Sequence, residues 1–385
     1  MDHFESINVS GFRRLHSVEL PLKPLNVVIG ANGSGKTSLL EVFSLLASSA
    51  TGELAEAISD MGGIKANLSN FHAVAKREVA EFRLKRSVPE QNPLEYHITL
   101  VPKGVSTSIG YETLQQDRGQ PNPFYHVTCS PGNVVYFDPF QRGFVRPTWE
   151  YNPTESALSQ VPKMFPDPEE FRRQLASSTH YHVLDVSSNS PVRMPQPLRS
   201  ATLPGQDGEN LVSCLYSIRE TDPDCFETIQ DTLRAGFPSF ERLNFPPVAA
   251  GTLAMTWKEK TSSTPFYMHQ LSEGTLRFLW LVTLLHSPGL TTVTMIDEPE
   301  VSLHPELLSL LADLFREAST RTQLIIATHA DRLVRFLRPE EVVTTTVEED
   351  GTATFARGDS FELDEWLQDY SLDQLWQMGR MGGRA

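Results

Sequence analysis

The run Gly30-Ala31-Asn32-Gly33-Ser34-Gly35-Lys36-Thr37 limits what this chain can become more than any other stretch. It satisfies the phosphate-loop pattern G-x-x-x-x-G-K-[ST] without a mismatch. Before it, Leu25, Val27, Val28 and Ile29 read as a buried strand. After it, residues 38–50 place Leu39, Leu40, Phe43, Leu46 and Ala47 on one helical face. Glycines at these positions let the backbone turn tightly and aim N–H groups at phosphate oxygens. The helix then starts beneath the phosphates with its positive end. Lys36 is expected to reach the β- and γ-phosphates, and Thr37 to offer its hydroxyl to Mg²⁺. The competing reading is a Gly-rich turn with no ligand. The full pattern in a strand–loop–helix setting weighs against it.

Strands alternating with helices at both ends of the chain argue for an α/β core with mostly parallel strands. The halves of that core are separated by roughly two hundred residues of insertion, a size large domains accommodate, so the ends are expected to fold together. The boundaries expected are 1–101, 102–204, 205–265, 266–347 and 348–385. Residues 5–9 and 12–22 read as two strands around a turn at Ser10-Gly11. Residues 79–86 and 94–101 alternate apolar and polar positions and read as an antiparallel pair. Residues 102–204 are rich in Pro, Ser, Gly and Asn. Loops, short strands and short helices are expected there, ordered by interleaved aromatics such as Phe137 and Trp149. Further on, residues 211–218, 223–235, 274–285, 305–319 and 330–337 read as helices, the second ending at Gly236. Residues 239–246, 251–258, 290–296 and 322–327 read as strands, and a hairpin around Asp350-Gly351 follows.

The chain of 385 residues carries 48 acidic and 33 basic side chains, a net charge of −15. That balance argues against a wholly nucleic-acid-binding surface and leaves room for a local basic patch. Arg83, Lys85 and Arg86 share one strand, where a DNA contact and a solvated face explain them equally. The first residues lack a secretory signal pattern, and residues 276–285 are too short to span a bilayer. The 3 cysteines suggest neither a disulfide framework nor a zinc site and fit a reducing cytoplasm. His180 and His182 in His-Tyr-His read as a solvated strand face rather than a metal site.

Two further stretches carry chemistry. In Val293-Thr294-Met295-Ile296-Asp297-Glu298 an apolar strand ends in two acids. Its carboxyl end opens on the ligand crevice of an α/β sheet, where Asp297 can hold Mg²⁺ and Glu298 can accept a proton from water. Leu271-Ser272-Glu273-Gly274-Thr275 opens a helix, with Ser272 either a plain N-cap or part of an anion site. His329 follows the strand 324–327 and points toward the same crevice; a lone histidine there is usually structural, and the three neighbouring signals favour a γ-phosphate sensor.

Together these residues resemble the ABC-type ATPase class and, within it, the RecF/SMC-like group. Gly11-Phe12-Arg13-Arg14 is similar to the group's N-terminal β-layer, and Gly30 to Thr37 to its Walker A loop. Ser272-Glu273-Gly274 is similar to the signature motif, and Asp297-Glu298-Pro299 to Walker B. Leu303-His304-Pro305 resembles the D-loop, Thr328-His329 the switch histidine, and Leu375-Trp376 to Gly382-Gly383 the close of single-chain bacterial members. The fold implied is α/β, an ABC-ATPase head. It has an N-terminal antiparallel β-layer, a central mostly parallel sheet flanked by helices, and a mixed α+β insertion.

The resemblance also implies cofactors and partners. ATP and Mg²⁺ would be bound by a head-to-tail homodimer with composite sites, in which Ser272, Glu273 and Gly274 act in trans. Gly30, Asn32, Gly33, Ser34, Gly35, Lys36 and Thr37 would hold the nucleotide, with Arg13 or Arg14 near its base or sugar. Thr37 and Asp297 would hold the metal, while Glu298 and His329 act in catalysis. The chain departs from the group in having no glutamine between positions 38 and 90, where the Q-loop residue is expected; Asn70 or His72 are the stand-ins. Two functions compete. One is an ATP-hydrolysing switch that drives DNA, a nuclease or a toxin effector in genome maintenance or phage defence. The other is an ATP-gated scaffold with little turnover and no direct DNA contact. No membrane association is expected.

Overall fold

A computed structural model describes residues 3–104, 106–363 and 365–382. The chain forms two compact units, Met1–Thr179 with Arg338–Ala385, and His180–Leu337.

The first unit is built on an eight-stranded antiparallel sheet. Strand Leu15–Pro21 lies at one edge, followed by Phe4–Phe12 and then Ala80–Val88, Gln91–Lys103, Ser106–Gln116, Phe124–Ser130, Asn133–Asp138 and Gly143–Val145. From Ala80 onward each strand pairs with the next in sequence, as hairpin connections allow. Period-two burial gives the sheet its apolar face, with Phe4, Ile7, Val9, Phe82, Leu84, Tyr96, Ile98 and Leu114 inside. Phe171 of helix Pro166–Ala176 packs on Phe4 and Tyr96 at ring distances of 5.9 and 5.7 Å. Each such buried ring contributes about 1.5–3 kcal/mol. The 11-residue strand Ser106–Gln116 lies where loops and short strands are expected from composition. Its polar residues are held by ladders on both sides, which local propensity does not register.

The first hairpin corrects the sequence reading. Phe12 pairs with Leu15, so the turn is Arg13-Arg14 and not Ser10-Gly11. Arg13 takes the left-handed φ of 48° that this two-residue turn needs. Gly11, at φ 81°, lies inside the strand; a Cβ there would sit 2.3 Å from the Val79 carbonyl oxygen. The glycine permits close backbone approach rather than a reversal.

The same unit carries strand Leu25–Ile29, buried at all five positions, parallel to Val342–Val347. Val342–Val347 pairs antiparallel with Ala353–Arg357, forming the expected hairpin. Leu375 and Trp376 are fully buried in helix Leu372–Gln377, whereas Gly383 lies outside the described residues.

In the second unit, strands Val293–Asp297 and Gln323–Thr328 run parallel, with helix Leu307–Ala318 between them in sequence. Helix Glu273–His286 is buried at ten of 14 positions, so it is a core helix rather than an amphipathic surface one. Helices Leu211–Thr221 and Pro223–Gly236 meet at Asp222, whose carboxylate accepts from the Cys225 N–H at 3.1 Å and caps the second. Gly236 is not a left-handed cap. It stays at negative φ, and a Cβ there would meet Leu307 at 2.8 Å and Phe278 at 3.2 Å, so helix packing requires the glycine. The strand expected over 251–258 divides into Thr252–Leu253 and Thr256–Glu259, which join different small sheets.

Candidate functional site

The phosphate loop connects Leu25–Ile29 to helix Lys36–Thr51. Gly33 and Gly35 have φ of 76° and 105°, values that side chains disfavour. At Gly30 a Cβ would lie 2.6 Å from both the carbonyl oxygen and Cγ2 of Thr345. The Thr345 hydroxyl donates to the Ser34 carbonyl at 3.0 Å and fastens the loop to the neighbouring strand. Lys36 is 6 % exposed and donates to the carbonyls of Gly30 at 2.7 Å and Ala31 at 3.0 Å. The Ser34 hydroxyl is buried without a hydrogen-bond partner. Asn32, Gly33 and Thr37 are exposed at the mouth of the loop. An inward lysine, an N-terminal helix turn and an orphan hydroxyl form a cradle of donors suited to an oxyanion.

Strand Val293–Asp297 is buried up to Ile296 and emerges at Asp297. Asp297 pairs in register with Ala327, which sets the ends of the two strands side by side. The Glu298 N–H donates to the Ala327 carbonyl at 2.8 Å. Glu298 has a left-handed φ of 48°, a strain of about 1–3 kcal/mol for a residue of this kind. That turn brings the Glu298 carboxylate within 3.0 Å of His329 Nδ1. Both side chains remain partly open to solvent.

Glu300 was not singled out by sequence reasoning, although it is the third acid in four residues. It is 8 % exposed and accepts from the Thr328 hydroxyl at 2.6 Å, while its other carboxylate oxygen has no partner. Burial pushes its carboxyl up, partly offset by the Thr328 hydrogen bond. Thr328 also accepts from the Ala330 N–H at 3.0 Å, so Glu300 steadies the turn that carries His329.

Ser272 is the N-cap of helix Glu273–His286, accepting from the Thr275 N–H at 3.1 Å, and it is exposed with Glu273. Gly274 is dictated by packing: a Cβ would stand 2.4 Å from the Ser302 carbonyl oxygen. Arg277 donates to the Ser302 hydroxyl at 2.7 Å and holds this segment from the other side. Arg193 donates to the Leu271 carbonyl at 2.9 Å and braces the approach to Ser272.

The remaining sequence candidates have partners of their own or lie exposed. Arg13 donates to the Asn67 side chain at 2.8 Å and pairs with Glu41. Arg14 donates to the Gly351 carbonyl at 2.6 Å over the Phe71 ring. Asn70 and His72 are exposed. Arg86 does not share the exposed face of Arg83 and Lys85; strand alternation turns it inward with Phe82 and Leu84, and it is 4 % exposed. His180 likewise departs from a solvated face, at 9 % exposed.

A family model described as "AAA domain, putative AbiEii toxin, Type IV TA system" matches residues 25–335. Over 48 residues the chain is 52% identical to the DNA replication and repair protein RecF of Saccharophagus degradans, covering 12% of this chain and 13% of that one. Over 77 residues it is 38% identical to RecF of Nitrosococcus oceani, covering 20% of each. The chain therefore spans only a small part of these relatives. Among solved structures it resembles an SMC head bound to the C-terminal winged-helix domain of ScpA, with TM-score 0.57 and 13% identity over 92% of this chain and 97% of that one. It also resembles a Pyrococcus furiosus SMC head with an extended coiled coil, with TM-score 0.55 and 12% identity over 96% and 100%.

Proposed function

The chain belongs to the family described as "AAA domain, putative AbiEii toxin, Type IV TA system" and has the fold of an ABC-type ATPase of the RecF/SMC-like group, and from that premise we propose that it binds and hydrolyses Mg²⁺-ATP as a head-to-tail homodimer. The observation that carries the reading is the Glu298–His329 pair at 3.0 Å, on a strained turn at the end of the acidic strand.

In this reading Gly30, Asn32, Gly33, Ser34, Gly35 and Lys36 cradle the phosphates. Thr37 and Asp297 hold Mg²⁺, which supplies charge neutralisation at the phosphate oxygens. Glu298 takes the proton of the attacking water, and His329 senses the γ-phosphate while Glu300 positions it. Arg13 is engaged by Glu41 and Asn67, and Arg14 by the Gly351 carbonyl and the Phe71 ring, so a base or sugar contact requires one of them to exchange partners. Exposed Ser272 and Glu273, with Gly274, meet the γ-phosphate of a second copy. The driven process is DNA-related, a reading supported by the short RecF matches. It runs in the cytoplasm, in keeping with three free cysteines.

The test is ATP-dependent dimerisation of the Glu298→Gln variant, followed by light scattering. Dimers are expected with ATP and not with ADP, and adding Ser272→Arg should abolish them while monomers still bind nucleotide. If Ser272→Arg removes nucleotide binding itself, the trans assignment is wrong. Phosphate release by the wild type no faster than the protein-free background would favour the low-turnover scaffold instead.

A further inference from the structure

His180, His182 and Asp297 converge. One donor atom from each, a ring nitrogen or a carboxylate oxygen, lies within 4.8 Å of the other two. The convergence follows from strand geometry. Residues two apart in an extended segment share a face, and the residue between them takes the other. Strand Ser178–Tyr181 runs directly into His182, so both imidazoles project to one side. Tyr181 projects to the other side, where it is 1 % exposed and packs edge-on against Trp280 at 5.5 Å. That anchor holds the backbone segment from which both histidines project. Their rings lie 4.1 Å apart. His182, Asp297 and Glu298 line one crevice with Arg277 and Pro299.

We propose that His180, His182 and Asp297 form a binding site for a first-row transition-metal cation, with Zn²⁺ as the best-suited ion. Two nitrogens and one carboxylate oxygen are the donor set such ions take, whereas Mg²⁺ prefers oxygen donors and keeps its waters. Ligands around tetrahedral zinc stand roughly 3.3 Å apart, from metal–ligand bonds of about 2.0–2.1 Å. The observed spread of up to 4.8 Å must contract to that on binding. Exposed His182 is free of the packing that holds His180, and so supplies the movement. Three protein ligands beside a crevice leave a fourth position for water or an anionic oxygen. Because Asp297 belongs to both sites, a bound transition metal competes with the Mg²⁺ of the nucleotide. Zinc then acts as an inhibitor of turnover; this consequence rests on the proposed ATPase function, while the metal site itself does not.

The probe is Co²⁺, titrated into the nucleotide-free full chain and followed by visible absorption. One equivalent should bind with ligand-field bands and without thiolate charge-transfer bands. His182→Asn and Asp297→Asn should each weaken binding at least tenfold; His182 is exposed, so its replacement leaves the core untouched. Absence of such bands, or affinity unchanged in both variants, would overturn the site. In a second arm, micromolar Zn²⁺ should inhibit Mg²⁺-ATP hydrolysis by the wild type, and His182→Asn should resist it. Equal inhibition of both would overturn the competition. A wild type inactive with Mg²⁺ alone would count against the ATPase reading, and the Co²⁺ titration would still decide the metal site.

Discussion

Lys36 is folded onto its own loop, with its ammonium on the Gly30 and Ala31 carbonyls. A buried ammonium must have such acceptors, and phosphate oxygens are stronger ones. Lys36→Ala is therefore expected to remove ATP binding in a fluorescent-nucleotide titration, with little change in melting temperature. Glu298 has the opposite character: it is strained, half-open and hydrogen-bonded to His329. Glu298→Gln keeps size and a hydrogen-bonding group but loses basicity. Nucleotide binding should survive, and phosphate release should slow by roughly 10²–10⁴-fold. Hydrolysis at the wild-type rate would remove Glu298 from the role of base.

Glu112 shows how an element is tied down. Its fully buried carboxylate accepts from Tyr96 Oη at 3.0 Å, Ser156 Oγ at 2.6 Å, and the N–H groups of Ala157 and Leu158 at 2.8 and 3.0 Å. It thereby caps the short helix Ala157–Gln160 from the sheet. Glu112→Ala strands these donors and should lower unfolding free energy by about 2–3 kcal/mol, measured in urea. At the start of helix Glu273–His286, Gly274 permits the 2.4 Å approach of the Ser302 carbonyl to where a Cβ would be. Gly274→Ala forces backbone movement. It should cost about 1–3 kcal/mol and weaken ATP-dependent dimerisation more than nucleotide binding.

Across the molecule, buried histidines contribute to the response to acid. His126 is 4 % exposed, and burial lowers its pKa to about 4, with Asp167 opposing and Arg118 assisting. His286 is lowered for the same first reason, against the pull of Glu317. The unfolded imidazole binds its proton near pH 6.5, so protonation favours the unfolded chain. Stability is full above about pH 6.5 and falls as pH drops toward 4. The melting temperature should decline over that window. His126→Phe should make the decline shallower, because it removes a group worth roughly 1–3 kcal/mol across it.

The sequence alone determined the nucleotide loop, the acidic strand, the capped helix and the terminal hairpin. Each is written in a short window whose period or turn chemistry leaves few conformations. The same windows misplaced the first turn, because the glycine at position 11 answers the Val79 carbonyl, some seventy residues on. They took Gly236 for a cap when helix packing required it, and they passed over Glu300, whose partner Thr328 lies on strand Gln323–Thr328. Arg86 could have been assigned inward from alternation with Phe82 and Leu84. No window could place His180 and His182 beside Asp297. That proximity joins residues more than a hundred positions apart, and packing of Tyr181 on Trp280 holds the segment that carries the histidines. Local pattern fixes which segments form, whereas close approach between distant segments arises only when the whole core is assembled.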